Sequence, residues 1–189
     1  MTTTSSKVAL KIVAVFQQQL RQQDYRDLSI SDIVKRAGVG RTTFYRHFNR
    51  KLDLLLAMHR PLFDEMLSGL ESAQDWHHAQ PRPQLIAFLE RISRISGFRR
   101  SMLYKLGNDK DSAFNQLRQR FTEQINQRLA AQFDENQFNL PLPLIATTIA
   151  AIYFDNLVLM VEQKGRYSSE EIAKVIHRLS QACLKEAMS

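Results

Sequence analysis

The chain has 189 residues, 44% of them hydrophobic, with six Gly, five Pro and a single Cys. That length supports a sizeable core in one or two small domains, and one cysteine excludes an internal disulfide and suits a reducing cytoplasm. The N-terminus MTTTSSK lacks the apolar core of a signal peptide. The net charge of +7 lies wholly in residues 1–60, which hold 11 Lys/Arg against 4 Asp/Glu, while the remainder holds 15 of each. A basic first third on a neutral remainder is the footprint of a nucleic-acid binder.

Long stretches free of Gly and Pro predict an all-α chain of about nine helices. Residues 1–6 read as a disordered polar tail. Lys7 to Gln22 reads as the first helix, with Val8, Ile12, Phe16 and Leu20 in an i+4 row. Lys7 and Lys11 are then placed along a phosphate backbone. DYRD is a loop, anchored to the core by Leu28 or Ile30.

Leu28 to Leu55, LSISDIVKRAGVGRTTFYRHFNRKLDLL, is the stretch with the most specific signal. Ser29 is an N-cap with Asp32 three residues later, the acidic variant of a capping box. Ile33, Val34 and Ala37 give the helix that follows an apolar face, and Gly38 supplies the left-handed residue that ends it. Val39 fills the gap between two helices, and Gly40 is a permissive N-cap for the second. That second helix, Arg41 to Phe48, buries Phe44 and Phe48 at i, i+4. Its other face shows Arg41, Thr42, Thr43, Tyr45, Arg46 and His47, which suit phosphate oxygens and base edges. Two short helices around a glycine turn, the second outwardly cationic, are a helix-turn-helix signature.

AGVGRTTFYRHFNRKLDLL, preceded by SISDIV, resembles the tetracycline-repressor (TetR) family of transcriptional regulators over about Val8 to Leu56. The shared pattern is a capped helix, Ala-Gly-Val, a small residue, a short recognition helix ending Tyr-x-x-Phe, and a lysine opening the next helix. Gly40 departs from it, since the family usually has Ser or Thr there. The resemblance implies a DNA-binding head over residues 1–50 and a helical ligand-binding and dimerisation body over 51–189. It also implies Tyr45, His47 and Lys51 as phosphate contacts. Arg41, Thr42 and Thr43, at the helix start, are best placed for base edges, and Arg46 suits either role. Lys11, Ser29 and Gly40 complete the candidate DNA-binding set.

Past Phe48, a helix is expected to open at Asn49 or Arg50 and run to about Ala73. Pro61 falls inside it, which predicts a kink near Ala57 to Pro61. DWHHAQPRP reads as a linker, and His77 and His78 on it lack the further ligands of a metal site, so no metal and no cofactor are expected. Gln84 to Ser96, Phe98 to Leu106 and a stretch capped by Asp109 or Asp111 and running to about Phe133 read as three further helices. Asn136 to Pro143 is a second loop. Leu144 to Val161 is nearly all apolar, yet Asp155 and Asn156 inside it argue against a membrane span. A helix apolar nearly all round is buried on two sides. Ser168 with Glu171 caps a last helix carrying Ile172, Val175, Ile176, Leu179, Cys183 and Ala187 on one stripe. The resemblance implies a homodimer through these last two helices, about 144–164 and 169–187; a buried intrachain pair would look the same.

The leading reading is a dimeric cytoplasmic regulator, most often a repressor, released from a palindromic double-stranded DNA operator by a small apolar or amphipathic effector. An apolar cavity in the body would take that effector, with Met66, Phe88, Met102, Tyr104, Phe121 and Phe154 as walls and Asn156 or Asp155 as polar anchors. Each of these also reads as plain core. Arg99 and Arg100 would favour an anionic effector, and they read equally as simple surface. The alternative is a ligand-independent DNA-binding protein acting through a protein partner or architecturally. No HExxH, GxSxG, Walker loop or Glu-x-x-His pair points to an enzyme.

Overall fold

The computed structural model describes residues 2–94, 106–163 and 165–188, with side chains from Lys7 onward. Among these residues there are eight α-helices, four short 3-10 turns and no strand. The helices are α1 (Thr2–Leu20), α2 (Ile30–Ala37), α3 (Arg41–Tyr45), α4 (Lys51–Met66), α5 (Pro83–Arg94), α6 (Lys110–Gln132), α7 (Leu142–Glu162) and α8 (Ser169–Ala187). One antiparallel bridge joins Phe138 to Met188. The expected helix at Phe98 to Leu106 lies outside the described residues except for Leu106, which is buried.

The chain forms two compact units, Met1–Pro61 with Ser96–Phe114, and Leu62–Ile95 with Asn115–Ser189. The first unit runs past the expected boundary at residue 50 because α4 is buried through Leu52, Leu54, Leu55, Leu56 and His59. These residues cover most of the helix circumference and leave the side of Asp53, Ala57 and Arg60 partly or fully exposed, so this part of α4 is largely a core helix. Ile12, Phe16 and Leu20 of α1 and Ile33, Val34 and Ala37 of α2 are buried as their spacing requires. The disordered tail expected at residues 1–6 is corrected: α1 begins at Thr2.

In the second unit, α5, α7 and α8 pack on one another. Phe121 of α6 meets Phe63 at 5.1 Å between ring centroids and Tyr153 of α7 at 5.8 Å. α4 continues through Pro61 but ends at Met66, short of Ala73. Gly69, at φ +81°, turns the chain out of the helix. The buried Arg82 donates to the carbonyls of Ser68 and Met66 at that helix end, where positive charge is favoured, and to the Tyr153 hydroxyl at 2.9 Å. The expected linker is therefore structured. Asp75 caps the turn at Ala73–His77 through Ser72, and the buried Trp76 donates its indole N–H to Gln132 at 2.7 Å.

α7 is long and apolar enough to cross a membrane, and half of its apolar window is buried inside the chain. The exposed Asp155 accepts from Arg118 of α6 at 2.5 Å, which places an ion pair at its middle. The capping box of Ser168 and Glu171 forms as expected, with Glu171 N–H to Ser168 Oγ at 3.1 Å and Ser168 N–H to Glu171 at 2.8 Å. The stripe predicted for the last helix needs correction. Its buried line is Ile172, Ala173, Ile176, Ser180, Leu184 and Ala187, whereas Val175 and Leu179 are 41% and 49% exposed. The apolar residues of this helix cover more than one face, and sequence periodicity alone does not choose between them.

Candidate nucleic-acid interface

The site begins with how α2 and α3 are held. Ser29 stands before α2 in extended backbone and its Oγ accepts the Asp32 N–H at 3.1 Å, while its hydroxyl donates to the Asp32 carboxylate at 2.5 Å. The Ser29 hydroxyl is therefore engaged in capping. α2 closes on Gly38 at φ 61° and ψ 38°, a left-handed conformation that a side chain would strain. The Val39 N–H then returns to the Val34 carbonyl at 3.0 Å. This fixes the tight turn from which α3 departs.

α3 is regular from Arg41 to Tyr45, shorter than the expected Arg41 to Phe48. Its closing turn still bonds: Arg46 N–H reaches the Thr42 carbonyl at 3.1 Å and Phe48 N–H the Phe44 carbonyl at 2.9 Å. Phe44 is wholly buried and Phe48 is 8% exposed, with their rings 5.7 Å apart. That pins one side of α3 to the core. Arg41, Thr42, Tyr45 and Arg46 are exposed on the other side, and Thr43 and His47 are half-buried. Tyr45 is 53% exposed although its ring edge rests on Phe44 at 5.3 Å. A buried ring thus supports the base of an outward one, which holds its hydroxyl in solvent.

Gly40 precedes α3 with φ −78° and ψ 157° and offers no side-chain cap. A Cβ added there meets nothing within 4 Å. The glycine is required by neither backbone nor space. Arg41 Nη2 donates to Ser31 Oγ at 2.5 Å, which links the start of α3 back to α2. Ser31 was not among the sequence-derived candidates; its place two residues past the N-cap, on the exposed side of α2, was the available signal. Lys35 and Arg36, with Gln23 and Asp32, line an open groove on the same unit and were likewise missed. Lys7 and Lys11 are exposed on α1, and Lys11 Nζ comes within 3.8 Å of where a Gly38 Cβ would lie.

Lys51 differs from the rest of the set. Its ammonium donates to the carbonyls of Tyr25 at 2.5 Å and Leu28 at 2.7 Å, and lies 4.1 Å from the centre of the Tyr25 ring. Two of its three N–H donors are committed inside the head, leaving one for a phosphate. Burial lowers its pKa from the ordinary lysine value. Tyr25 is 2% exposed and its hydroxyl donates to Asp109 Oδ2 at 2.6 Å. Burial, then the Asp109 carboxylate, raises the phenol's pKa far above its ordinary value. Next to Lys51, Asp53 accepts from the N–H groups of Asn49 and Arg50 at 2.8 and 3.0 Å and caps α4.

Of the effector-wall candidates, Met66, Phe88, Phe121 and Phe154 are at most 1% exposed in the second unit. Asn156 is half-buried and its amide donates to the Ile152 carbonyl of its own helix at 2.7 Å. Asp155 points outward to Arg118, so it is corrected from a polar anchor to a surface ion pair. Met102, Tyr104, Arg99 and Arg100 lie outside the described residues. His78 sits 3.3 Å from Asp75, and His77 packs edge-on against Phe133.

The family model of bacterial regulatory proteins, tetR family, matches residues 12–58. The HTH-type transcriptional regulator EthR of Mycolicibacterium smegmatis is 34% identical over 71 residues, which is 38% of this chain and 33% of that protein. The match thus spans about a third of that relative's length. The crystal structure of the TetR-family repressor AlkX from Dietzia sp. superposes with a TM-score of 0.63 at 18% identity, covering 96% of this chain and 97% of that one. That of a putative TetR-family transcriptional regulator from Syntrophomonas wolfei gives 0.62 at 20%, covering 95% and 96%. The solved structures share the fold, and the family-model match falls on α1 to α4. Residues 12–58 thus match the model of the tetR family of bacterial regulatory proteins, and the chain as a whole has the fold of these solved structures.

Proposed function

We propose that the protein is a dimeric DNA-binding transcriptional regulator that reads a two-fold symmetric operator with α3. The observation that carries this reading is the outward face of α3. Arg41, Thr42, Tyr45 and Arg46 stand exposed on a helix fixed from behind by Phe44 and Phe48. Such a face offers cations and hydroxyls at the depth of a major groove, and the rigid backing sets their spacing. Arg41, Thr42 and Thr43 are assigned to base edges. Tyr45, His47 and Lys11 are assigned to phosphates, with Arg46 serving either.

Dimerisation is assigned to the last two helices. Leu144 of α7 is 60% exposed, and Val175 and Leu179 of α8 stand 41% and 49% exposed in the single chain. Apolar side chains left in water on adjacent helices favour burial against a second copy. Repression relieved by a small apolar effector is the regulatory mode we assign, with Met66, Phe88, Phe121 and Phe154 as candidate walls. AlkX, the fold neighbour named above, is described as a repressor implicated in n-alkane biodegradation.

Selection of bound duplexes from a random DNA pool tests the reading. A recovered motif with two-fold symmetry and half-sites one or more helical turns apart supports it. Recovery of DNA without any common sequence would leave only charge-driven binding.

A further inference from the structure

The helix-turn-helix is closed by a single ammonium. Lys51 is the first residue of α4, just past the closing turn of α3, and the Leu28 carbonyl it binds at 2.7 Å immediately precedes the N-cap of α2. The chain's entry into the helix-turn-helix and its exit are therefore tied at one point. A second bond, to the Tyr25 carbonyl at 2.5 Å, and the Tyr25 ring at 4.1 Å hold that ammonium in place. The ring is in turn fixed at both ends. Its edge meets Phe16 of α1 at 6.2 Å, and its hydroxyl donates to Asp109 at 2.6 Å, 84 residues along the chain. Asp109 closes the turn Gly107–Asp109, directly before α6. Tyr25 is buried and this bond is part-buried, so without Asp109 its hydroxyl would lose its side-chain acceptor.

We propose that Asp109, Tyr25 and Lys51 form a positioning relay, through which the turn before α6 sets the placement of α3 and hence the protein's DNA affinity. Lys51 acts through the backbone of the head more than on a phosphate, and Asp109 acts through Tyr25. The proposal rests on the DNA-binding reading given above.

Three single variants and one double variant test it by fluorescence anisotropy on the selected operator at two salt concentrations. Tyr25→Phe keeps the ring under Lys51 and removes only the hydroxyl. Asp109→Ala removes the acceptor, and Asp109→Asn restores a neutral one. The relay predicts that Tyr25→Phe and Asp109→Ala each weaken operator binding by about tenfold, and that the double variant is no weaker than either, as expected for residues acting as one unit. Asp109→Asn binds close to the wild type. Their salt dependence stays that of the wild type, whereas a lost phosphate contact lowers the slope by about 0.9. The sign for Asp109→Ala separates this from charge alone, because removing a carboxylate from a basic head would by itself tighten DNA binding. Wild-type binding that is specific, with variants that match or exceed it, overturns the relay and leaves the function standing. If the wild type itself shows no preference for any DNA, the functional reading fails, and amide hydrogen exchange then decides the relay. Faster exchange in Tyr25→Phe at residues 28–48 supports it, and unchanged exchange overturns it.

Discussion

Gly40 carries the clearest residue-scale consequence. Its backbone is already extended, a Cβ has open space, and the first turn of α3 has no side-chain acceptor. Gly40→Ser should raise stability by about 0.5–1 kcal/mol, by adding a cap and by reducing the freedom of the unfolded chain. Urea denaturation measures this directly. Phe44 is the opposite case: it is wholly buried behind the reading face. Phe44→Ala should cost about 3–5 kcal/mol and lose DNA binding through unfolding, which circular dichroism would register. His59 adds a pH dependence. It is 1% exposed on α4, its Nδ1 lies 2.7 Å from the Leu55 carbonyl, and burial holds its pKa below the ordinary value of 6.5. The folded form is neutral, while the unfolded chain takes up a proton near pH 6.5. Stability is therefore full above about pH 6.5 and falls as pH drops toward the lower folded value, at up to about 1.4 kcal/mol per pH unit. His177 is shifted the same way, first by burial. Urea midpoints at pH 7.5, 6.5 and 5.5 should fall in that order, and His59→Met should flatten the decline.

Elements were legible in the sequence where a local stop or start signal existed. Ser29 with Asp32, Gly38, and Ser168 with Glu171 marked helix ends that the structure reproduces to the residue. Each acts through chemistry within four positions, which is why a linear reading finds it. Gly38→Ala should cost about 1 kcal/mol for its left-handed backbone, and Ser168→Ala about 1 kcal/mol for the lost cap. Both are read from thermal or urea melts. The end of α4 was not legible. Met66, Leu67 and Leu70 continue an apolar helical pattern, but Arg82, distant in sequence, accepts the role of closing the helix by binding the carbonyls of Met66 and Ser68. The polarity of DWHHAQPRP likewise hid a buried Trp76 whose partner is on α6. In the candidate site, the α3 face could be read from residue types alone. The commitment of Lys51 to Tyr25 and Leu28, and the contact of Ser31 with Arg41, depend on tertiary placement and could not.

At the scale of the molecule, the charge excess falls on the residues that carry the helix-turn-helix, while the remainder is neutral. Long-range attraction to a phosphate backbone then acts on the part that must dock. The exposed Val175 and Leu179 make the proposed dimer testable in the whole protein. Leu179→Glu should yield a folded monomer by light scattering, since the side chain is half in water before association, and should weaken operator binding because each half-site is then held singly.

The most direct measurement is fluorescence anisotropy of the protein on its selected operator against the same duplex with its sequence scrambled, at two salt concentrations. Saturation at two subunits per site, with a preference of about 10³-fold or more over the scrambled duplex, is the predicted result. Arg41→Ala should reduce that preference more than it reduces binding to scrambled DNA. Equal affinity for both duplexes, lost steeply with salt, would contradict a reading face on α3 and leave only charge.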